Sequence, residues 1–330
     1  MNKKNNILIT GITGQDGLFL TSKLISIDKD VNIYGFSRTE NNELFFKNLN
    51  YISSDFEKTN INIMNTKELK SSRLPEVLEE INPKTVFNMS GPSSVYESIQ
   101  KPSLADEIEE IFQNLINSCV QLNITPNFFQ ACSSEMFGSN KNSTLNEESE
   151  FFPSSPYAKA KYSIYNHIQD IRNNSEWNII SGIMFNHESE FRKDDYLFMK
   201  IINYALTASR NRTENRLVLG SLTLKRDWSY AGDIVDAIIK ATFSNQKTDY
   251  VLGSGEATSI QQIVIQVFSY FGLDWESYVD IDESLLRDSD PSIRVSDPSK
   301  IKNDLNWEAK TTVEETIEII IKYKLNFLNR

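Results

Sequence analysis

The chain has 330 residues, of which 39% are hydrophobic and 24% charged, and its formal net charge is −11. This composition is that of a folded globular protein, and the acidic balance argues against nucleic acid or an anionic membrane as a partner. Two cysteines and two histidines argue against a disulfide scaffold or a bound metal. The apolar runs are too short for a secretory signal or a membrane span, so the chain is expected to be cytoplasmic.

The first half of the sequence alternates short β-rich runs with helical ones. The predicted strands cover residues 7–10, 31–36, 85–89, 127–131 and 178–184. This order predicts right-handed βαβ units and therefore an α/β fold with a doubly wound parallel sheet. Beyond about residue 186 the pattern changes to longer helices and scattered short strands. There, Thr312 followed by Glu315 predicts the capping box of a last helix.

A glycine-rich loop follows the first predicted strand at once. It reads Gly11-Ile-Thr-Gly14-Gln-Asp-Gly17 and leads directly into a helix. Glycines at such a junction allow a tight turn, let backbone N–H groups approach a pyrophosphate, and let the helix pack closely on the strand. The loop therefore predicts a dinucleotide-binding site, and the alternative is a merely tight turn.

The end of the second predicted strand carries the residue that distinguishes NAD from NADP. The sequence there is Gly35-Phe36-Ser37-Arg38-Thr39, without an acidic side chain for a free ribose hydroxyl. Arg38 can instead pair with a 2′-phosphate, which favours NADP. The alternatives are that Arg38 is an ordinary surface arginine and that the cofactor is NAD.

A serine, a tyrosine and a lysine are spaced as in a redox site. Tyr157 and Lys161 stand four residues apart at the start of a predicted helix, downstream of Ser133 at a strand end. The ammonium can then lower the phenol pKa and hydrogen-bond a nicotinamide ribose, while the serine hydroxyl polarises the same carbonyl or alcohol. The alternative is that these are ordinary helix-surface residues.

Glu135 adds a carboxylate to this group. It stands two residues after Ser133 and can remove a proton next to a ketone that a first hydride transfer has made. This favours an elimination over a simple oxidation. The alternative is a structural carboxylate that pairs with a nearby cation.

These features divide the chain into two parts. Residues 1–186 are predicted to form mainly a Rossmann-type domain that binds NADP. Residues 187–330 are predicted to form mainly a smaller α/β substrate-binding lobe, with some segments returning to the main sheet.

Taken together, the motifs resemble those of the GDP-mannose 4,6-dehydratases, and the likeness covers nearly the whole chain. The most specific segments are Thr10-Gly-Ile-Thr-Gly-Gln-Asp-Gly17, Asn186-His-Glu-Ser189 and Lys225-Arg-Asp-Trp228. Similar too are Gln130-Ala-Cys-Ser-Ser-Glu135, Phe152-Pro-Ser-Ser-Pro-Tyr157, and Arg287 placed before Asp297.

The resemblance implies a lyase that consumes no net cofactor and makes GDP-4-keto-6-deoxymannose. NADP takes a hydride from C4 of the hexose, water leaves across C5 and C6, and the hydride returns to C6. By the same resemblance, Tyr157 is the base at the C4 hydroxyl and Lys161 is its partner. Ser133 supplies the hydrogen-bonding hydroxyl, and Glu135 is the acid and base of the elimination.

The resemblance also assigns binding residues. The cofactor contacts that it implies are Gly11, Thr13, Gly14, Gln15, Asp16, Gly17, Arg38, Asn62, Ile63, Met89, Ser90, Gly91, Ser93, Tyr157, Lys161, His187 and Arg192. The substrate contacts that it implies are Ser93, Ser133, Asn186, Glu188, Lys200, Arg226 and Arg287. The last three are cations suited to a diphosphate, although each taken singly fits a surface charge, and His187 fits a buried core histidine.

Several positions depart from the family's pattern. Asn62 stands in place of the strand-end acid near the adenine, with Asp55-Phe56 as a rival position, and Thr39 replaces a second arginine. Other departures lie near the expected sugar and diphosphate pocket, at Pro92, Ser94, Glu190 and Asp288. A modified hexose, a heptose or another nucleotide therefore stays open.

Other functions stay open as well. A nucleotide-sugar epimerase, decarboxylase or 4-oxidase has the same fold, and outside enzymes the alternative is a nucleotide-binding regulator without turnover. The resemblance further implies a homodimer or homotetramer, with helices around residues 105–120 and 158–171 at the contact.

Overall fold

The computed structural model describes residues 5–53, 56, 59–91, 94–210, 215–244, 246–285 and 291–328, with side chains up to residue 326. Its strands are β1 (Asn6–Thr10), β2 (Asn32–Ser37), β3 (Asn60–Asn65), β4 (Thr85–Asn88), β5 (Asn127–Ser133), β6 (Thr144–Leu145), β7 (Ile179–Met184), β8 (Asn186–Glu188), β9 (Leu217–Leu219), β10 (Lys225–Tyr230), β11 (Asp249–Leu252), β12 (Ala257–Ser259), β13 (Val279–Ile281) and β14 (Ile293–Ser296). Its α-helices are α1 (Gln15–Ile27), α2 (Glu43–Ile52), α3 (Leu74–Ile81), α4 (Val95–Gln100), α5 (Ser103–Gln121), α6 (Pro156–Asn174), α7 (Leu197–Arg210), α8 (Ala231–Phe243), α9 (Ile260–Tyr270), α10 (Ser299–Leu305) and α11 (Val313–Leu328).

A parallel sheet of seven strands forms the centre of the molecule, in the order β11-β7-β5-β4-β1-β2-β3. All of its neighbouring strands pair in parallel. The chain moves outward from β1 to β3, returns to β4 beside β1, and then moves outward in the other direction. The prediction of a doubly wound α/β fold is confirmed. In such a sheet ligands bind at the carboxyl ends of the strands where the order reverses, which here are β1 and β4.

Alternate side chains of the central strands enter two hydrophobic layers. Ile7 and Ile9 of β1 pack on the face that α1 and α8 cover. Leu8 packs on the opposite face, among residues of α3 and α5. All three side chains are buried, as expected for a parallel strand with helices on both sides. Because helices cover both faces of the sheet, its polar side chains lie at the carboxyl edge.

The remaining strands form smaller sheets around β10. This strand pairs with β12, β14 and β8, while β6 pairs with β14 and β9 with β13. Helices α7, α9 and α11 pack a further hydrophobic layer that includes Trp228 of β10. Strand β10 thus connects the second half of the chain to β8, which directly follows β7 of the main sheet.

The helices begin as their sequences predict. The Ser155 hydroxyl accepts a hydrogen bond from the Ala158 N–H at 3.1 Å, so α6 begins at Pro156 and Tyr157 lies in its first turn. The predicted capping box is confirmed, because Glu315 N–H donates to Thr312 Oγ1 at 3.1 Å and Glu315 Oε2 accepts from Thr312 N–H at 2.9 Å. Among the helices of the described ranges, none combines the length and apolar character that a bilayer crossing needs.

Candidate functional site

The glycine-rich loop joins the end of β1 to the start of α1. Gly11 has a φ of 71°, a left-handed conformation that favours glycine. A Cβ atom added to Gly17 would lie 2.5 Å from the carbonyl oxygens of Gly11 and Ile12, so only glycine lets α1 approach β1 this closely. Gly14 is the N-cap of α1, and no side chain caps this end of the helix. The N–H groups there fit the pyrophosphate of a dinucleotide.

Buried polar side chains link the carboxyl ends of three central strands. The Thr10 hydroxyl of β1 donates to Asn88 Oδ1 of β4 at 2.6 Å, and Asn88 Nδ2 donates to Gln130 Oε1 of β5 at 2.7 Å. The Ser90 N–H donates in turn to Thr10 Oγ1 at 3.0 Å. The segment 89–91, which the sequence assigns to the cofactor, is thereby held beside the glycine-rich loop.

Arg38 lies directly after β2, and its side chain is exposed. The buried Ser37 hydroxyl before it lies 3.0 Å from Thr13 Oγ1 and 2.9 Å from Thr39 Oγ1. These hydroxyls tie the end of β2 to the glycine-rich loop. Arg38 therefore stands next to the predicted dinucleotide site.

Asn62 and Ile63 lie inside β3 rather than at its end, because the strand continues to Asn65. Asn62 is exposed and lines an open surface pocket along this edge of the sheet. Ile63 packs against the hydrophobic layer that α1 covers. The adenine contact at this place stays a prediction, and the rival position Asp55 lies outside the described residues.

His187 and the start of α1 form one polar network. The Nε2 atom of His187 is 3.1 Å from Asp16 Oδ1, and its Nδ1 atom is 2.8 Å from the Phe185 carbonyl oxygen. Gln15 Nε2 donates to the His187 carbonyl oxygen at 3.1 Å, and Gln15 Oε1 accepts from the Ser189 hydroxyl at 2.8 Å. Three residues that the sequence assigns to the cofactor are thus brought together, and they contact one another.

The pKa values of Asp16 and His187 follow from this contact. Burial alone would raise the pKa of Asp16, but His187 and Arg192 outweigh it and hold that pKa below its usual value. Burial alone would lower the pKa of His187, but Asp16 raises it above its usual value. The charged forms of the two side chains therefore stabilise each other.

Arg192 lies beside the same network. Its Nε atom is 3.3 Å from Glu188 Oε2, and its guanidinium lies 3.6 Å from the centroid of the Tyr196 ring. Burial raises the pKa of Glu188, although the charge of Arg192 opposes this. A predicted cofactor residue and a predicted substrate residue therefore form an ion pair with each other.

Ser133, Tyr157 and Lys161 meet at the carboxyl end of β5. All three are buried, with Ser133 the last residue of β5 and the other two in the first turns of α6. Ser133 lies close enough to the Tyr157 hydroxyl to influence its pKa, and Lys161 Nζ lies 5.8 Å from the centroid of the Tyr157 ring. Lys161 Nζ also donates to the Ala131 carbonyl oxygen at 2.7 Å. The structure thus brings the three predicted residues together.

Burial governs the charge of the phenol and the ammonium. Burial raises the pKa of Tyr157, although the nearby Ser133 side chain opposes this. It also lowers the pKa of Lys161 to about 8. The sequence-based expectation was that Lys161 lowers the phenol pKa. The folded chain differs, because the loss of water around the phenol outweighs the favourable contacts near it.

Because the Lys161 ammonium is buried, we expect the free energy of unfolding to depend on pH. The unfolded chain carries a lysine with the ordinary pKa of 10.5, so it binds more protons than the folded chain between about pH 8 and 10.5. Charged Lys161 therefore destabilises the fold below about pH 8, and this cost disappears as the pH rises toward 10.5.

We expect Lys161→Met to raise the free energy of unfolding at pH 7 by about 2 kcal/mol, because the apolar side chain avoids the desolvation of a charge. The gain should shrink toward about pH 10. Urea unfolding of both proteins at the two pH values measures it. A variant that gains the same stability at both pH values would show that the ammonium is not the cause.

Glu135 lies in a short turn after β5 and is held by Arg294. Arg294 Nη1 donates to Glu135 Oε1 at 2.7 Å, and the Glu135 N–H donates to Ser133 Oγ at 3.2 Å. The alternative interpretation of Glu135, a carboxylate that pairs with a nearby cation, is confirmed, while its part in an elimination stays a prediction. The sequence analysis missed Arg294. A charged residue within the apolar run of β14 was the signal that could have found it.

The sequence analysis also missed the structural role of Asp227 in β10. It is fully buried, and its carboxylate accepts hydrogen bonds from the Ser254 N–H at 2.9 Å, the Gly255 N–H at 3.0 Å and the Ser296 N–H at 3.1 Å. These contacts tie β10 to β14 and to the loop after β11. They hold the strand that carries Arg226.

The predicted substrate residues lie on several elements. Asn186 opens β8, which pairs with β10. Arg226 lies in β10, where its Nη1 atom donates to a backbone carbonyl oxygen just before β14 at 2.9 Å. Lys200 lies in the first turns of α7 and is exposed. Ser93 and Arg287 lie outside the described residues, as do Pro92 and Asp288.

Known proteins match the chain over nearly its whole length. The sequence profile of a family described as GDP-mannose 4,6 dehydratase matches residues 8–320. The chain is 30% identical to GDP-mannose 4,6 dehydratase 2 of Arabidopsis thaliana, over 98% of this chain and 87% of that protein. It is 26% identical to GDP-mannose 4,6 dehydratase of Homo sapiens, over 97% of this chain and 92% of that protein.

Solved structures share the fold. A UDP-N-acetylglucosamine 4-epimerase from Methanobrevibacter ruminantium M1 has a TM-score of 0.82 at 20% identity, over 98% of this chain and 99% of that one. A dTDP-glucose 4,6-dehydratase from Bacillus anthracis has a TM-score of 0.81 at 20% identity, over 97% and 96%. One architecture thus carries different reactions, so the chemistry has to be argued from the site.

Proposed function

Because the chain belongs to the GDP-mannose 4,6-dehydratase family, it is an enzyme of the lyase class, and we propose that it converts GDP-mannose to GDP-4-keto-6-deoxymannose with NADP. The observation that carries the proposal is the meeting of Ser133, Tyr157 and Lys161 with Glu135 at the carboxyl end of β5. The first three suit an oxidation at an alcohol carbon, and the carboxylate adds an elimination.

The first step is oxidation at C4 of the hexose. Tyr157 takes the proton of the C4 hydroxyl, while Ser133 hydrogen-bonds the same oxygen. The Lys161 ammonium, 5.8 Å from the centroid of the Tyr157 ring, is proposed to favour the phenolate electrostatically, whereas burial opposes it. When bound, the nicotinamide supplies the acceptor for the C4 hydride and later returns that hydride to C6.

The second step is loss of water across C5 and C6. The ketone at C4 makes the C5 proton acidic, and Glu135 removes it. Glu135 then passes this proton to the departing C6 hydroxyl, so that no external acid is consumed. After the hydride returns to C6, C5 gains a proton, which is balanced by the proton that Tyr157 took from the C4 hydroxyl and now gives up. The sugar has then lost one water, and the cofactor is unchanged.

The proposed cofactor site is formed by the glycine-rich loop, the segment 89–91 and Arg38. An uncapped helix start supports a pyrophosphate, and the exposed cation after β2 supports a 2′-phosphate. The ion pair of Asp16 with His187 fixes the start of α1 against β8, which keeps this end of the helix in place. NADP is therefore proposed in preference to NAD.

The proposed substrate site uses residues from the second part of the chain. Arg226 and the exposed Lys200, with Arg287, are proposed to bind the diphosphate because two phosphates need local cations in an acidic protein. Asn186 opens β8 directly after the main sheet and is proposed to contact the sugar. We propose a corresponding division of the chain at residue 186. Residues 1–186 hold mainly the cofactor, and residues 187–330 hold mainly the sugar nucleotide.

Assembly through α5 and α6 is proposed on the resemblance. Within one chain these helices already pack on each other, with Gln113 Nε2 2.7 Å from His167 Nδ1 and the Ser163 hydroxyl donating to Glu109 at 3.0 Å. A second copy would pack on the outer faces of the same two helices. Sedimentation velocity tests this, and a protein that sediments only as a monomer would remove it.

Incubation of the purified protein with NADP and GDP-mannose tests the function. Mass spectrometry is expected to show a nucleotide sugar lighter by one water, with no net reduction of the cofactor. Parallel incubations with NAD and with UDP-glucose test the cofactor and the substrate. Dehydration of another nucleotide sugar alone would move the proposal to that substrate, and no dehydration of any of them would contradict it.

A further inference from the structure

Arg294 is a charged residue in a strand that is otherwise apolar or small. It is 3% exposed, and the neighbouring Val295 and Ser296 of β14 are also buried. Removing a guanidinium from water is costly unless partner groups compensate for the lost hydration. The contacts of Arg294 therefore indicate what it does.

Those contacts hold Glu135 and the turn that carries it. Nη1 donates to Glu135 Oε1 at 2.7 Å, and Nη2 donates to the Gly138 carbonyl oxygen at 2.8 Å. Glu135 Oε2 accepts no hydrogen bond from any residue in the described ranges, and 24% of the Glu135 side chain is exposed. One carboxylate oxygen is thus anchored by Arg294, and the Glu135 side chain stays partly exposed to solvent.

Arg294 is not arranged to bind a substrate anion itself. Its two terminal nitrogens are engaged by the protein, as described above. Its Nε atom is buried and has no hydrogen-bond partner among the residues that the structure describes. Any influence of this cation on the reaction therefore passes through Glu135.

We propose that Arg294 is a positioning residue, which holds the Glu135 carboxylate in a fixed orientation for the elimination. This rests on the proposed function. As the C5–H bond breaks, the proton goes to Glu135 Oε2 and the electron pair enters the enolate of the C4 ketone. The C5–C6 double bond then forms as the C6–O bond breaks, and Oε2 gives its proton to the departing hydroxide to make water.

Loss of Arg294 should therefore slow the elimination and leave the oxidation at C4 nearly unchanged. Oxidation at C4 uses Tyr157, Ser133 and Lys161, whereas the hydrogen bonds of Arg294 go to Glu135 and Gly138. In Arg294→Met, formation of the dehydrated product is expected to fall about 100-fold, because the carboxylate loses its fixed geometry. The first hydride transfer should stay within about threefold of wild type, so oxidised sugar and reduced cofactor accumulate. Arg294→Lys keeps the cation and should recover part of the loss.

Arg172→Met is the matched control for the loss of a buried arginine. Arg172 lies in the last turn of α6, remote from the catalytic residues in its first turns. Its Nη1 atom is 2.6 Å from Asp249 Oδ1, and the two side chains are 8% and 13% exposed. Arg172→Met is expected either to leave the oxidation and the elimination unchanged or to lower both equally, because it can act only through the stability of the fold. The measured quantity is the ratio of reduced cofactor to dehydrated product in a single turnover. Unfolded protein contributes to neither quantity, so it leaves the ratio unchanged.

An unchanged ratio in Arg294→Met would overturn the positioning role, whatever the total activity. A raised ratio that Arg294→Lys lowers again, with Arg172→Met at the wild-type ratio, supports it. If the wild-type enzyme dehydrates no nucleotide sugar, the proposed function fails instead. The two failures are therefore distinguishable in the same experiment.

Discussion

Replacing Tyr157 with phenylalanine is expected to lower turnover about 1,000-fold. The change removes only the phenolic oxygen, which lies near Ser133 and takes the C4 proton in the proposed mechanism. The ring stays in the same hydrophobic layer, so cofactor binding and the free energy of unfolding should change little. Reduction of the cofactor in a single turnover, with substrate in excess, measures the effect.

Tyr162→Phe is the matched control for Tyr157→Phe. Tyr162 lies in the same helix, and its ring packs against Phe151 with centroids 5.5 Å apart. Its hydroxyl has no part in the proposed chemistry, so turnover should remain near that of wild type. If Tyr157→Phe kept more than about a tenth of wild-type turnover, another group would have to be the base at C4.

Replacing Glu135 with glutamine is expected to stop the reaction after the first hydride transfer, with product formation reduced about 1,000-fold. Glutamine has nearly the same shape but cannot take the C5 proton. It also leaves the buried cation of Arg294 without a counter-charge, so the free energy of unfolding should fall by about 2–3 kcal/mol. Rapid mixing should show reduced cofactor, and mass spectrometry a sugar lighter by two hydrogens rather than by one water.

Glu147→Gln controls for the loss of a partly buried carboxylate. Glu147 accepts a hydrogen bond from the Val251 N–H at 2.6 Å, and burial raises its pKa. This variant should form the dehydrated product at nearly the wild-type rate. Normal dehydration by Glu135→Gln would show that a different base carries the elimination.

The main sheet could be predicted because most of its strands carry a local signal. Short apolar runs such as residues 7–10 and 127–131 are visible in the sequence, and β1 and β5 lie there. Strand β11 was not predicted, because its place in the sheet depends on pairing with β7 across a long stretch of chain. Such pairing depends on the packing of the whole molecule, which local patterns do not contain.

The residues of the site, like the strands, could be predicted only where the sequence carries a local signal. The spacing of Tyr157 and Lys161 places both on one helix face, and the structure has them in the first turns of α6. The pair of Glu135 and Arg294 joins residues 159 positions apart, so no spacing rule could find it. The raised pKa of Tyr157 was also not foreseen, because it depends on how completely the folded chain excludes water.

The place of β11 in the sheet has a consequence for synthesis on the ribosome. β7 ends at residue 184 and β11 begins only at residue 249, so the edge of the nascent sheet stays open while the intervening chain is made. At roughly 5–20 residues per second this takes several seconds. The open strand reads Ile-Ile-Ser-Gly-Ile-Met and has no charge to deter pairing with another chain. A polypeptide released before Asp249 lacks the strand that covers this edge, so we expect it to aggregate more readily than the full-length chain.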